Sequence, residues 1–283
     1  VRKLQDLIIK DAEKVVEGAD AIIVALGESA SMSGEGASRA ILELPETQLD
    51  LLRTMKATGK PIVVVLFTGR PLALQNAEPY ADAILNVWMG GTDAAGAIVD
   101  VLGGAVNPTA KLTMTFPRVT GQCPIYYNHK NTGRPMAEGA WFTRYVSNYI
   151  DVVNEPLYPF GFGLSYSKYE YGEVALDKSE MNENGTVTAS VKVTNVSDVD
   201  GEEIVQLYIH DKIRSITPPV KELKGYRRVA LKAGESKIVQ FTIDSQLLKF
   251  YNSELQFVAE PGEFEVMIGG SSDNVTKAVL TLK

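Results

Sequence analysis

Leu4, Leu7, Ile8, Ala12, Val15, Val16 and Ala19 recur at three- and four-residue intervals, the spacing that gathers apolar side chains on one face of a helix. The pattern then closes up. Ala19 to Leu26 is an almost unbroken apolar run ending at Gly27, which predicts a parallel strand buried on both faces. Pro45 suits a first helical turn, and Leu49, Leu52 and Met55 follow at helical spacing until Gly59 stops the helix. A second buried strand is expected over Pro61 to Phe67, ended by Thr68-Gly69, and a shorter third over Ala83 to Val87. After Gly90-Gly91, Thr92 or Asp93 is placed to cap a helix carrying Ala97, Ile98, Val101 and Leu102. Strand and helix in alternation predict a parallel α/β layer, whose ligand loops should begin at Gly27, Thr68 and Met89.

From about Ser165 the period falls to two. Val187, Ala189, Val191 and Val193 alternate with Thr188, Ser190, Lys192 and Thr194. Short strands are expected at Ile204–Ile209, Tyr226–Leu231, Ile238–Ile243 and Phe264–Ile268, separated by turn-prone pairs such as Asn184-Gly185 and Pro261-Gly262. This half reads as an antiparallel β-sandwich. The expected plan is an α/β domain over residues 1–125, a strap over 126–165 rich in Gly, Pro, Asn and aromatics, and a β-sandwich over 166–283. Tyr158, Phe160 and Phe162 are expected to pack where the strap meets the sandwich.

Composition narrows the function classes. A formal net charge of −7 disfavours nucleic acid and anionic membrane as partners, since both need a basic surface. Cys123 is the single cysteine and the two histidines, His129 and His210, lie far apart, so neither an internal disulfide nor a zinc site is expected. No apolar run approaches the ~20 residues of a membrane span. No phosphate-cradling glycine motif follows any expected strand, which disfavours nucleotide binding, and no cofactor is implied. The opening Val-Arg-Lys runs straight into the helical pattern and reads as an internal cut.

The loop after the first expected strand, Gly27 to Arg39, is built largely from small residues and carries Glu28 and Glu35. Glu35 stands between Gly34 and Gly36, where its carboxyl is free to project as a general acid. An ordinary solvated surface loop and a phosphate cradle are the other readings of the same residues. Glycoside hydrolysis needs two carboxyl groups, and only this one is nominated by its setting. Arg70, after the second expected strand, and Arg39, four residues from Glu35, are candidates to hold the loop by pairing with a carboxylate. His129 and Trp141, in the strap, are candidates for the edge of a sugar site or for packing at the domain junction.

Gly27-Glu28, Ser33-Gly34-Glu35-Gly36-Ala37-Ser38-Arg39 and Leu44-Pro45 resemble the acid/base segment of family 3 glycoside hydrolases. Thr68-Gly69-Arg70-Pro71-Leu72, Asn107 to Leu112, Tyr126 to His129, Asn131 to Pro135 and Leu157 to Tyr166 continue the likeness in order. Val193 to Val196 and Leu223 to Tyr226 resemble that family's fibronectin type III-like (immunoglobulin-like) domain. The resemblance is greatest to periplasmic bacterial β-glucosidases. It implies an incomplete parallel α/β sandwich followed by a fibronectin type III-like β-sandwich. A barrel domain bearing the aspartate nucleophile and most sugar contacts would lie upstream. It also implies that Glu35 is the general acid/base and Glu28 a supporting residue, with Glu28 as the rival because this loop varies in length among relatives. The expected activity is retaining hydrolysis of terminal β-glucosides by an exported parent enzyme. This chain alone would be inactive and would self-associate through its truncated face. A non-catalytic carbohydrate-binding or assembly module is the competing class.

Overall fold

A computed structural model describes the backbone of residues 2–137 and 139–283, with side chains from residue 8 onward. The chain divides into two compact units, one of residues 1–103 and 116–124 and the other of 104–115 and 125–283.

The first unit follows the alternation read from the sequence. Helix α1 (Arg2–Val16) leads to strand β1 (Ile22–Gly27), helix α2 (Glu46–Ala57), strand β2 (Ile62–Phe67), strand β3 (Ala83–Asn86) and helix α3 (Ala94–Leu102). The strands form one parallel sheet in the order β1-β2-β3, with Val24 opposite Val64 and Val65 opposite Leu85. Leu49, Leu52 and Met55 of α2 are buried, as are Ile22, Val24 and Leu26 of β1. Each such side chain contributes roughly 1.5–3 kcal/mol on leaving water. α2 closes at Thr58 with Gly59 in the left-handed region, where a Cβ would be strained. The Lys60 ammonium caps the end of α1 by donating to the carbonyls of Val16, Glu17 and Ala19.

Three local expectations need correction. Leu4 and Leu7 lie outside the described side chains, and the rest of the expected α1 face is not deeply buried: Ile8 and Val15 are exposed. β1 alternates buried and exposed instead of being covered on both faces, with Ile23 60% exposed. Asp93 occupies the N-cap of α3 but its side chain makes no capping bond, and no residue of α3 is buried. Ile8, Val15, Ile23 and Val99 are the outward apolar side chains left facing water among the described residues of these elements.

The second unit is a two-sheet sandwich. Its strands are β4 (Tyr169–Tyr171), β5 (Ala175–Leu176), β6 (Glu180–Met181), β7 (Thr186–Asn195), β8 (Gly201–Asp211), β9 (Glu222–Leu231) and β10 (Ser236–Asp244). The short helix α4 (Ser245–Leu248) precedes β11 (Phe250–Tyr251), β12 (Phe257–Val258), β13 (Gly262–Gly269) and β14 (Val275–Leu282). One sheet runs β10-β7-β4, with β5 also on β7, and the other runs β6-β14-β13-β8-β9. Pairing is antiparallel throughout except between β6 and β14. Val187, Ala189, Val191 and Val193 meet Val205, Leu207, Ile209, Phe241, Val266 and Ile268 in a continuous core, as the two-residue period requires.

β8 is buried on its outer face as well. Tyr127 stacks on Phe160 at 4.3 Å and meets the Tyr208 ring edge-on at 5.8 Å, while Gln206 donates to the carbonyls of Gly161 and Gly270. Phe160 is thus packed by the strap as expected, whereas Tyr158 and Phe162 stack on each other. Residues 104–115 belong to this unit through Asn107, which bonds Ser167 and Asp200, and through Lys111.

Candidate active-site loop

β1 ends at Gly27, whose backbone N–H and C=O are both taken by the carboxamide of Gln48 on α2, at 2.8 and 2.9 Å. The next residue, Glu28, turns its carboxylate inward, and its side chain is 0% exposed. Arg39 Nη1 donates to Glu28 Oε1 at 2.9 Å, and Arg70 Nε lies 3.1 Å from the same oxygen as a misaligned ion pair. Thr68 Oγ1 and the Gly69 N–H donate to Oε2 at 2.9 and 3.1 Å. Burial by itself would raise this carboxyl. The hydrogen bonds from Arg39, Thr68 and Gly69, with the Arg70 charge, outweigh burial and hold it below the ordinary carboxylate value. Glu28 is therefore a fixed anion with no proton to give near neutrality.

The two arginines use their remaining donors on the loop backbone. Arg70 Nη2 donates to the carbonyls of both Met32 and Ala37, at 2.8 Å each, which ties the two legs of the loop together below its tip. Arg39 Nη2 donates to the Glu43 carbonyl at 2.7 Å. The tip, Ser33-Gly34-Glu35-Gly36, turns with Gly34 at φ 110° and Gly36 at φ 72°, and Ala37 N–H closes on the Gly34 carbonyl at 3.2 Å. Glu35 is exposed at that tip and has no ion pair or hydrogen bond among the described residues. An open depression of about 300 Å³ lies at the root of the loop, lined by Ala25, Gly27, Glu28, Ser29, Gln48 and Phe67.

The structure thus brings Glu28, Arg39 and Arg70 into one cluster and sets Glu35 on the finger that the cluster holds. Arg39 pairs with Glu28 and not with Glu35; the four-residue separation would join them only on a helix, and this loop is not helical. His129 and Trp141 are both exposed on the strap of the second unit, with His129 Nδ1 3.2 Å from the Lys130 carbonyl. Sequence reading marks Thr68 only as the start of a ligand loop and assigns no site role to Thr68, Gly69 or Gln48. Thr68-Gly69 reads as the end of a strand and the root of that loop, and Gln48 as a polar position on α2, with nothing local to show that they bond Glu28 and Gly27.

Known proteins are similar to this chain in sequence and fold. The profile described as glycosyl hydrolase family 3 C-terminal domain covers residues 3–166, and that of a fibronectin type III-like domain covers residues 203–272. A periplasmic beta-glucosidase of Salmonella typhimurium is 45% identical over 97% of this chain and 36% of its own length. A beta-xylosidase of Formosa agariphila is 40% identical over 96% and 37%. The beta-glucosidase of Listeria innocua, solved in complex with glucose, superposes with a TM-score of 0.92 at 42% identity, over 97% of this chain and 38% of that one. The chain therefore spans little more than a third of the length of these relatives.

Proposed function

This chain belongs to glycosyl hydrolase family 3, and from that premise we propose that it is the acid/base-bearing C-terminal part of a retaining β-glucosidase. Glu35 is the general acid/base. It protonates the departing glycosidic oxygen, then takes a proton from the water that releases the glycosyl-enzyme. Glu28, Arg39 and Arg70 are the clamp that presents it. The aspartate nucleophile and most of the sugar pocket come from polypeptide outside this chain, so the chain alone turns over no aryl β-glucoside.

One observation carries this reading. Of the two glutamates on the loop, Glu28 is buried as a pinned anion and Glu35 is presented unpaired at the tip of a clamped finger. A group that must exchange a proton with substrate needs the second setting. The similarity to a β-glucosidase and a β-xylosidase at comparable identity supports assigning the shared proton-transfer element to this chain and the choice of sugar to the rest. The Salmonella relative supports an exported, periplasmic setting. The exposed apolar positions Ile23, Met89 and Val99 of the first unit support self-association of the isolated chain.

The test is Glu35→Gln in the longer enzyme. Substrates with poor leaving groups should lose ~10²- to 10⁴-fold in rate, and activated aryl glucosides much less in the glycosylation step. Azide should partly restore turnover and give a β-glucosyl azide. If Glu28→Gln shows this behaviour and Glu35→Gln does not, the two assignments are exchanged.

A further inference from the structure

Three glycines surround the tip of the loop, and they are glycines for different reasons. Gly34 and Gly36 have φ values that L side chains rarely adopt, and a Cβ on either would meet nothing within 4 Å. They serve the turn. Gly69 is the reverse case. Its φ lies outside the left-handed region, so its backbone would accept alanine, but a Cβ there would stand 1.9 Å from Ser33 Oγ and 3.0 Å from Ser33 Cβ. The first residue of the tip therefore rests directly on the Gly69 backbone, in space that any side chain would fill.

We propose that Gly69 is a positioning residue: its missing side chain is the seat for Ser33 and so sets how far the Glu35 carboxyl reaches. Two facts make the seat act on Glu35 and not merely on packing. Arg70, the next residue, ties Met32 and Ala37 at the legs, so the tip has little freedom except to ride on what lies beneath Ser33. The Gly69 N–H is also bonded to Glu28 Oε2 at 3.1 Å, which fixes the height of the seat relative to the clamp. A methyl group on Gly69 displaces the Ser33 hydroxyl and presses on its Cβ, and Glu35 lies two residues further out on the same short turn. Misplacement of a catalytic group by about 1 Å can cost ~10²-fold. This inference rests on Glu35 being the acid/base, but the seat itself does not.

The test is Gly69→Ala, alone and combined with Ser33→Gly, which removes both clashing atoms. In this chain, amide resonances of Gly34, Glu35 and Gly36 should shift in Gly69→Ala and return toward their original positions in the double variant. In the longer enzyme, Gly69→Ala should lower kcat/KM for poor leaving groups by ~10- to 100-fold, with activated aryl glucosides changed only a few-fold. The double variant should recover most of the loss. Unshifted tip amides, or a loss that Ser33→Gly does not relieve, would overturn the seat. If Glu35→Gln lacks leaving-group dependence, the acid assignment fails instead, and the amide shifts with their reversal still decide the seat.

Discussion

Among the described residues each unit buries one glutamate beside a basic side chain, and the two carboxyls respond in opposite directions. In the first unit Glu28 receives Arg39, Thr68 and the Gly69 N–H, with Arg70 beside it, and is held below its ordinary value. In the sandwich Glu203 has one cation, Lys111, at 3.1 Å, and a backbone N–H from Ile204 at 3.0 Å. Burial dominates there and raises the carboxyl, although Lys111 and Tyr171 pull it down in part. Depth alone does not decide the charge of a buried acid; the number and quality of donors around it do. Two guanidinium groups convert Glu28 into a fixed anion that organises a loop. A single ammonium leaves Glu203 as a strained fastener between residues 104–115 and the sheet.

The largest effect that would test this contrast is expected at the fastener. Lys111→Met leaves Glu203 without its cation, and breaking such a buried pair typically costs about 3–5 kcal/mol. Denaturant unfolding of the sandwich near pH 7 should show it, and a loss under about 1 kcal/mol would mean that Glu203 is not held as a charged partner. Glu28→Gln should cost less, about 1.5–3 kcal/mol in all, because the carboxamide keeps one oxygen that still accepts from the clamp, and the cost should be local. Faster exchange of the Ala37 amide and easier nicking within residues 29–38 would register it, while the sandwich should unfold as before. Loss of the sandwich transition would contradict the division into two units.

The pH dependence should separate the two glutamates by sign. Glu28 is depressed, so its contribution is complete above the ordinary glutamate value of 4.5 and is lost as pH falls through its lower folded value. Glu203 is raised, so its contribution is complete below 4.5 and is lost as pH rises through its higher folded value. Lowering the pH toward 4.5 should therefore strengthen the sandwich while leaving the protection of the loop amides from exchange unchanged. Parallel responses in both regions would undo the comparison. The smallest effect is expected when both members of the fastener become apolar: Lys111→Met with Glu203→Leu should return within about 1 kcal/mol of the parent or exceed it.

The order of elements was legible in the sequence because it rests on local periodicity. The helical face of α2 and the two-residue alternation of β7 each name their buried residues without reference to the rest of the chain. β14 was missed, since Lys277, Ala278 and Val279 blur its alternation, and it joins the sheet by pairing with β13. Glu35 was nominated from its glycine neighbours, which state how the turn is made.

What the sequence by itself determined is therefore the kind of structure in each half, the family it resembles, and the loop we propose as the acid/base element. Which glutamate is pinned and which is presented was decided only by the tertiary structure. Glu28 and Arg39 are eleven residues apart, Thr68, Gly69 and Arg70 come from the end of another strand, and no local rule joins them. Parallel pairing of β1 with β2 sets Gly27 opposite Phe67, and that register brings the two loop roots side by side. The electrostatics of a carboxyl depend on groups within a few ångströms in space, and the chain reveals those neighbours only once the strands have paired.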